Sequence, residues 1–392
     1  MAATGAAAPS TSGRWFGFGF NRFGQTVPGV AADRVLEPRQ LAACGSGPRP
    51  GHSMVKVCPA WSHSAGWRGD GSIHFWGFVA DGPRHQIYIN NRDQQRCRDI
   101  LTSEKYLLTL WQDRVECWDV PSLCPTGDTM GSVIWTKHLQ EEENPNTAFP
   151  LIPGGYITTT PPFYKPLSPR LQARRLALGG EHALLLTFDW TLYSWGSGRH
   201  GQLGHGSVED EAEPRVVEAL HGLAMAEIAA GTWHSICTNA SGDVYVWGWN
   251  ESGQLGLPTK LQSGEEHQQL SLQTGPSGEG AEICSPALKD AGEGNIGIVN
   301  VFISIQAFPA LLDFPGELEM CKVSCGSRHT AAVTRCGKLY TWGWGNYGQL
   351  GHGQTDSSDV PRLVEFFTEN HLSVMDVVCG PWNTFVFAQG GI

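Results

Sequence analysis

The chain has 392 residues and a formal net charge of −11, with 41 % hydrophobic residues, 49 Gly, 24 Pro and 15 Trp. This hydrophobic fraction is enough for a core, so the Gly and Pro content indicates many turns between short strands and not a disordered chain. The acidic balance disfavours direct, non-specific DNA binding and favours a basic partner, and no apolar run is long enough to span a membrane.

The chain opens on a short segment of small and polar residues. Residues 1–12 are Ala, Gly, Ser, Thr and Pro after the initial Met, without the basic and apolar regions of a secretory signal. We expect a disordered N-terminal segment here and a single domain over 13–392. That domain begins with residues 18–25, FGFNRFGQ, which align with residues 247–254, WGWNESGQ.

An internal repeat runs through the chain. In four copies a His is followed 13 residues later by Trp-Gly: His63 with Trp76, His182 with Trp195, His234 with Trp247 and His329 with Trp342. A turn Gly lies eight residues after the His in three of them, at Gly71, Gly242 and Gly337. The Gly suits a hairpin turn, and the Trp fills the space between twisted neighbouring sheets. The repeat therefore predicts blades of short antiparallel strands.

Six repeat cores are readable. They lie at 54–83, around 105–119, at 176–204, 226–256 and 320–351, and at 374–392 together with 13–25. Between them, residues 120–170 are an irregular insertion that leaves two alternatives open, a seventh blade or an elaborated loop. Residues 258–300 carry six acidic and two basic residues, a net charge of −4, and are interpreted as a mobile acidic loop.

The two chain ends complement each other. Residues 377–383 form the first half of a repeat, with Asn383 at the His position, and residues 18–25 supply the second half. One blade is then assembled from both termini, which closes the ring and removes open sheet edges. The sequence predicts an all-β fold, a closed β-propeller.

This pattern of G-x-x-H, turn Gly, W-G and G-Q-L-G resembles the regulator-of-chromosome-condensation repeat. The resemblance implies seven blades and a ring closed by both termini. Residues 15–20, 307–313 and 379–384 further resemble a small single-propeller branch of the family, known as the partner of a Jumonji-C 2-oxoglutarate oxygenase. It implies a non-enzymatic adaptor in the nucleus, associated with chromosomes. Its implied roles are control of histone methylation, repression of centromeric repeats and chromosome segregation. A basic histone segment as second partner and a cytoplasmic pool stay open.

The family resemblance also implies two other functions. Guanine-nucleotide exchange on a Ran-like GTPase is the founding activity of the family, but residues 1–13 contain no Lys or Arg and no exchange wedge loop can be aligned. A light sensor needs Trp at one repeat position in successive blades, and this chain has Gly180, Thr232, Ser327 and Pro381 there. The adaptor is the preferred hypothesis, and the exchange factor is its alternative.

The repeated side chains are interpreted as structural, and the loops beside them as the binding site. We expect His63, His182, His234, His329 and Asn383 to bond backbone groups between blades, and Trp76, Trp195, Trp247 and Trp342 to fill the gaps there. The loop before each His varies and supplies five candidates for protein binding: Trp61, Glu181, Trp233, Arg328 and Trp382. The alternative for the Trp residues is that they cap blade interiors.

The sequence contains no motif that indicates catalysis, metal binding or nucleotide binding. The 11 Cys include no C-x-x-C pair, so we expect reduced thiols and no zinc site. None of the Gly-rich turns forms a phosphate-binding fingerprint before a helix. We therefore expect no enzymatic activity, metal, cofactor or small-molecule substrate.

Overall fold

Short antiparallel strands dominate the computed structural model of the chain. The structure describes residues 13–41, 54–79, 82–89, 96–123, 132–139, 148–260, 302–314, 316 and 318–390. Within these ranges, the strands form seven separate sheets, which we number as blades 1 to 7. The predicted disordered segment 1–12 and most of the predicted acidic loop 258–300 lie outside the described residues.

Blades 1 to 3 each have four strands. Blade 1 comprises Arg14–Phe20, Arg34–Gln40, Leu372–Cys379 and Asn383–Gly390; blade 2 comprises Met54–Pro59, His63–Arg68, Ile73–Val79 and Gly82–Ile89; blade 3 comprises Asp99–Thr102, Tyr106–Leu110, Arg114–Asp119 and Val133–His138.

Blade 4 is the smallest, and blades 5 to 7 are again four-stranded. Blade 4 comprises Leu151–Ile152, Gly155–Ile157 and Tyr164–Pro166; blade 5 comprises Ala173–Leu178, His182–Thr187, Leu192–Gly196 and Glu211–Val216; blade 6 comprises Met225–Ala230, His234–Asn239, Val244–Trp249 and Ile305–Leu312; blade 7 comprises Met320–Cys325, His329–Thr334, Leu339–Gly343 and Ser358–Leu363. One short α-helix, Glu365–Glu369, and the 3₁₀ turns Val120–Ser122, Pro169–Leu171 and Glu218–Leu220 complete the described elements. None of these helices has the length and apolar character needed to cross a membrane.

The prediction of a propeller closed by a shared blade is confirmed. Strand Arg14–Phe20 pairs with Asn383–Gly390 from Arg14 opposite Ala388 to Gly19 opposite Asn383. The first strands of neighbouring blades lie side by side at the centre of the ring. All seven blades, one more than the six readable repeats, are present.

The irregular insertion 120–170 holds strands. Val133–His138 completes blade 3, and the three short strands that follow are blade 4. Blade 4 exists because Ile157 and Phe163 pack with Leu108 and Leu110 of blade 3 in one buried cluster. Tertiary packing, not local β propensity, therefore makes this sheet.

The interblade Trp residues bury their rings and bond their indole nitrogens. Trp76, Trp247 and Trp342 are almost fully buried, and each Nε1 donates to a Gln carbonyl of the preceding blade. These carbonyls belong to Gln25, Gln202 and Gln254, the Gln residues of the turns that end in Gly-Gln. Trp195 is also buried and packs on Tyr156 of blade 4, 6.0 Å between ring centroids.

The repeated His residues bond hydroxyl groups of the next blade, which corrects the expectation of backbone partners. The Nε2 contacts are His63 with Thr102 Oγ1 (3.3 Å), His182 with Ser235 Oγ (2.8 Å), His234 with Thr330 Oγ1 (2.9 Å) and His329 with Thr384 Oγ1 (3.0 Å). Asn383 differs, since its Nδ2 donates to Thr26 Oγ1 within blade 1 at 2.9 Å. In blades 6, 7 and 1 the hydroxyl then donates to the Gln carbonyl of the preceding blade's turn. Because that hydroxyl proton is used, the His Nε2 must carry the proton that it donates.

Burial also keeps these imidazoles neutral. Desolvation lowers the pKa of His182 to about 4 and the pKa of His234 and His329 to about 3. Each imidazole bonds a different hydroxyl group, on the blade that follows its own. Among the described residues, no three His, Cys, Asp or Glu side chains are placed to hold a metal ion.

Candidate protein-binding face

All five candidate residues lie at one end of the blades. In blade 6, His234 at the start of the second strand pairs with Gly248 near the end of the third. The same register joins His63 to Gly77, His182 to Gly196, His329 to Gly343 and Asn383 to Gly19. The loop before each His and the residue after each Trp-Gly or Phe-Gly therefore lie side by side on the same face of the ring.

Main-chain hydrogen bonds fix the loops of this face to one another. The N–H of Gly180 donates to the carbonyl of Gly231 (3.1 Å), that of Thr232 to Gly326 (3.3 Å) and that of Ser327 to Pro381 (3.2 Å). These loops surround a cavity of about 160 Å³ at the centre of the ring. The next residue in each loop is a binding candidate, so these candidates stand on a rigid rim.

Around blades 1, 2 and 7 the face carries a continuous aromatic cluster. Phe23 contacts Trp61 and Phe78 at 5.5 and 5.6 Å between ring centroids, and Phe20 contacts Tyr347 at 4.8 Å. The cluster continues from Tyr347 to Trp344 at 5.0 Å and from Trp344 to Trp382 at 5.0 Å.

A second cluster occupies the same face at blades 5 to 7. The Trp233 and Trp249 rings meet edge to face at 5.1 Å and 89°, and the His200 ring lies 5.7 Å from Trp249. The Arg328 guanidinium lies over Trp249 at 4.6 Å and over Trp233 at 6.0 Å. The Arg328 carbonyl accepts the N–H of Trp344, which places the second cluster beside the first. We call the two clusters together the aromatic arc; its members are Phe20, Phe23, Trp61, Phe78, His200, Trp233, Trp249, Arg328, Trp344, Tyr347 and Trp382.

The arc is partly open to solvent. Trp61 and Phe78 are 48 % and 41 % exposed, and Trp233, Arg328 and Trp382 are half-buried. The Trp candidates therefore do not fill blade interiors as Trp76, Trp247 and Trp342 do, and their role in binding stays a prediction. Glu181 differs from the others, because its exposed carboxylate forms an ion pair with Arg199 of its own blade.

Seven of the eleven arc residues are not among the binding candidates that the sequence predicts. Phe20, Phe78, Trp249 and Trp344 each come directly after the Trp-Gly or Phe-Gly of a repeat. An aromatic residue at that position in four repeats was a readable signal. The Trp or Phe two residues earlier is buried between blades, but the residue after the Gly stands at the end of the strand, where its side chain reaches the face.

Comparison with known proteins identifies the repeat. Models of the "Regulator of chromosome condensation (RCC1) repeat" match residues 191–238, 241–274 and 336–387, and 226–254 and 320–349. Over 400 residues the chain is 43 % identical to the RCC1 domain-containing protein 1 of Mus musculus, and it is 42 % identical over 398 residues to that of Homo sapiens. Both alignments cover 97 % of this chain and 98 % of the relative. The chain belongs to the RCC1 repeat family.

A solved RCC1-family structure has the same fold. Prp20p of Saccharomyces cerevisiae covers 96 % of this chain, with 92 % of its own chain aligned, at a TM-score of 0.68 and 16 % sequence identity. That structure was described together with the binding of Prp20p to Gsp1p and histones. At this level of identity the likeness is one of fold alone.

Proposed function

We propose that this RCC1-family propeller is a non-enzymatic adaptor that binds a protein partner through the aromatic arc. The observation that carries the proposal is the arc itself: partly exposed aromatic side chains beside rigid loops of one face. Trp, Tyr and Arg are the residue types that contribute most to binding at protein interfaces. Rigid loops lose little conformational entropy when a partner docks.

The proposed partner is a Jumonji-C 2-oxoglutarate oxygenase, met in the nucleus at chromosomes. The support is the resemblance of residues 15–20, 307–313 and 379–384 to the propeller branch that has such a partner, and the full-length relatives carry a name that states no enzymatic activity. In this role the chain would act in histone methylation control, repression of centromeric repeats and chromosome segregation. A histone segment is a second proposed ligand.

The experiment measures affinity and stability on the same variants. Trp233→Ala and Trp382→Ala are titrated against a purified Jumonji-C oxygenase, and their thermal unfolding is recorded. Loss of a hot-spot indole costs on the order of 2 kcal/mol, so we expect about 30-fold weaker binding with nearly unchanged melting temperature. Trp190→Ala is the matched control, since Trp190 is 42 % exposed in the turn at the opposite end of blade 5.

Two outcomes would contradict the proposal. Unchanged affinity of both arc variants would move the oxygenase site elsewhere on the ring. Acceleration of nucleotide release from a Ran-type GTPase, without oxygenase binding, would replace the adaptor by the exchange factor.

A further inference from the structure

Arg328 holds its charge in a fixed place within the aromatic arc. Its guanidinium carbon lies 4.6 Å from the Trp249 ring centroid and 6.0 Å from that of Trp233. Because the two indoles meet at 89°, the cation occupies the corner between them. Attraction to two indole rings restricts a side chain that otherwise has many rotamers.

This cation has no anionic partner among the residues that the structure describes. No carboxylate oxygen of a described residue lies within 4.0 Å of the Arg328 guanidinium. Its Nε is buried and makes no hydrogen bond. The neighbouring carboxylate of Glu181 is held by Arg199. The enclosed Nε is out of a partner's reach, but the side chain as a whole is only half-buried, so an acceptor that a partner brings to the Nη groups would gain a charge-assisted hydrogen bond.

The charge around Arg328 suits one negative charge. Arg199 is occupied by Glu181, and burial together with Arg199 lowers the pKa of His200, which disfavours a charged imidazole there. A phosphate dianion would gain from a second cation beside Arg328, whereas Arg34 lies over Tyr347 in the first cluster, 5.8 Å from its ring centroid. A carboxylate carries a single charge, and its two oxygens match the planar guanidinium fork.

We infer that Arg328 binds one carboxylate of the protein partner, an Asp or Glu that is flanked by an apolar side chain packed on Trp233 or Trp382. The inference rests on the proposed function of the arc and names the chemistry of the segment that docks there. Charge complementarity then fixes the orientation of a partner that the aromatic rings alone would hold less specifically.

The chain offers a matched control at the opposite face. Arg174 lies over the Trp190 ring at 4.1 Å, and its Nη1 is also buried without a hydrogen bond. Trp190 and the exposed Phe188 share one turn, and no ring contact joins Trp190 to another aromatic side chain among the described residues, whereas Arg328 lies inside the arc. Arg174→Gln removes the same kind of stacked guanidinium without touching the proposed surface.

The test uses the full chain and a display library of random peptides as probe. Peptides are selected on the wild-type chain and, separately, on Arg328→Gln and Arg174→Gln, after thermal unfolding has shown that each variant folds. We expect Asp or Glu at one fixed position, beside an apolar residue, in the peptides selected on wild type and on Arg174→Gln. We expect no such acidic position in those selected on Arg328→Gln.

A double-mutant cycle then measures the coupling with one selected peptide. Changing its acidic residue to the amide should weaken binding to the wild-type chain about tenfold and leave binding to Arg328→Gln nearly unchanged. Arg328→Lys keeps the charge without the fork and should recover only part of the affinity; it also serves if Arg328→Gln does not fold. Equal loss on wild type and Arg328→Gln, or selected peptides without a fixed acidic position, would overturn the inference.

The same peptides separate this inference from the proposed function. Selected peptides that bind Trp233→Ala and Trp382→Ala more weakly but have no fixed Asp or Glu would contradict the carboxylate site and still support the arc as the binding surface. Peptides that bind all these variants equally well would remove the arc as the binding surface.

Discussion

Replacement of His182 by Gln should reduce the acid sensitivity of the ring. The buried His182 imidazole donates from Nε2 to Ser235 Oγ at 2.8 Å, and burial lowers its pKa to about 4. An unfolded chain returns the imidazole to its ordinary pKa, near 6.5. Below that pH the unfolded state binds a proton that the folded state refuses, so stability falls as the pH drops and stops falling near the folded pKa.

The magnitude follows from the two pKa values. Between about pH 6.5 and about pH 5, an interval of about 1.5 pH units, the unfolded state binds about one proton more at His182 than the folded state does. The free energy of unfolding is therefore about 2 kcal/mol lower at about pH 5 than at pH 8. A Gln amide can occupy the place of Nε2 and does not titrate. We expect His182→Gln to be about 1 kcal/mol less stable than wild type at pH 8, from an imperfect hydrogen bond, and equally or more stable at about pH 5.

The assay is urea denaturation of both proteins over this pH range, with the exposed His221→Gln as control. The other buried imidazoles titrate alike in both chains, so the difference curve isolates His182. Two parallel curves below pH 6.5 would refute the reasoning, because they would mean that His182 takes up its proton without unfolding.

Three further predictions concern the scaffold. Trp342→Ala removes a fully buried ring and its 3.0 Å hydrogen bond to the Gln254 carbonyl, so urea denaturation should show a free energy of unfolding lower by about 3–5 kcal/mol. Trp382→Ala should lower the free energy of unfolding by less than about 1 kcal/mol. Similar losses for both variants would place Trp382 in the core. Truncation before Val374 should unfold the ring, because strand Arg14–Phe20 loses its partner Asn383–Gly390; an unchanged melting curve of the truncated chain would be incompatible with closure through blade 1. Replacement of 261–300 by a short Gly/Ser linker should preserve the near-ultraviolet circular dichroism, since the Ile303 N–H already donates to the Pro258 carbonyl at 3.0 Å and loop length changes closure entropy only slowly; collapse of that spectrum would make the segment part of the fold.

The repeat made most of the ring predictable because each of its recurring residues is required by the local geometry of a turn or of an interface between blades. Gly242 and Gly337 were expected in hairpin turns and have φ of 93° and 80° there. In blade 3, where Gly and His are lost, the rhythm of Tyr106–Leu110 and Arg114–Asp119 still indicated two strands, and both are present. Local pattern was sufficient for these two middle strands, but not for the six-residue outer strand Val133–His138 of the same blade, which lies in the insertion 120–170.

Blade 4 could not be predicted in the same way. Its strands have two or three residues, too few for an alternating pattern, and it contains neither the His nor the Trp-Gly of the repeat. Its existence depends on contacts with blade 3, which no local pattern reveals. The same limit applies to Arg328: its position in a loop was predictable, but its stacking between two indoles of the neighbouring blade requires the closed ring.

The inequality of the blades has a consequence for symmetry. A ring of seven identical blades would offer a partner seven equivalent docking orientations about its axis. Here blade 4 has three strands among the described residues where the other blades have four, and the arc is built from blades 1, 2, 5, 6 and 7. A partner that docks on the arc therefore has one orientation around the axis of the ring. Selecting one orientation from seven requires at least RT ln 7, about 1.1 kcal/mol, which is less than the contribution expected from one arc indole.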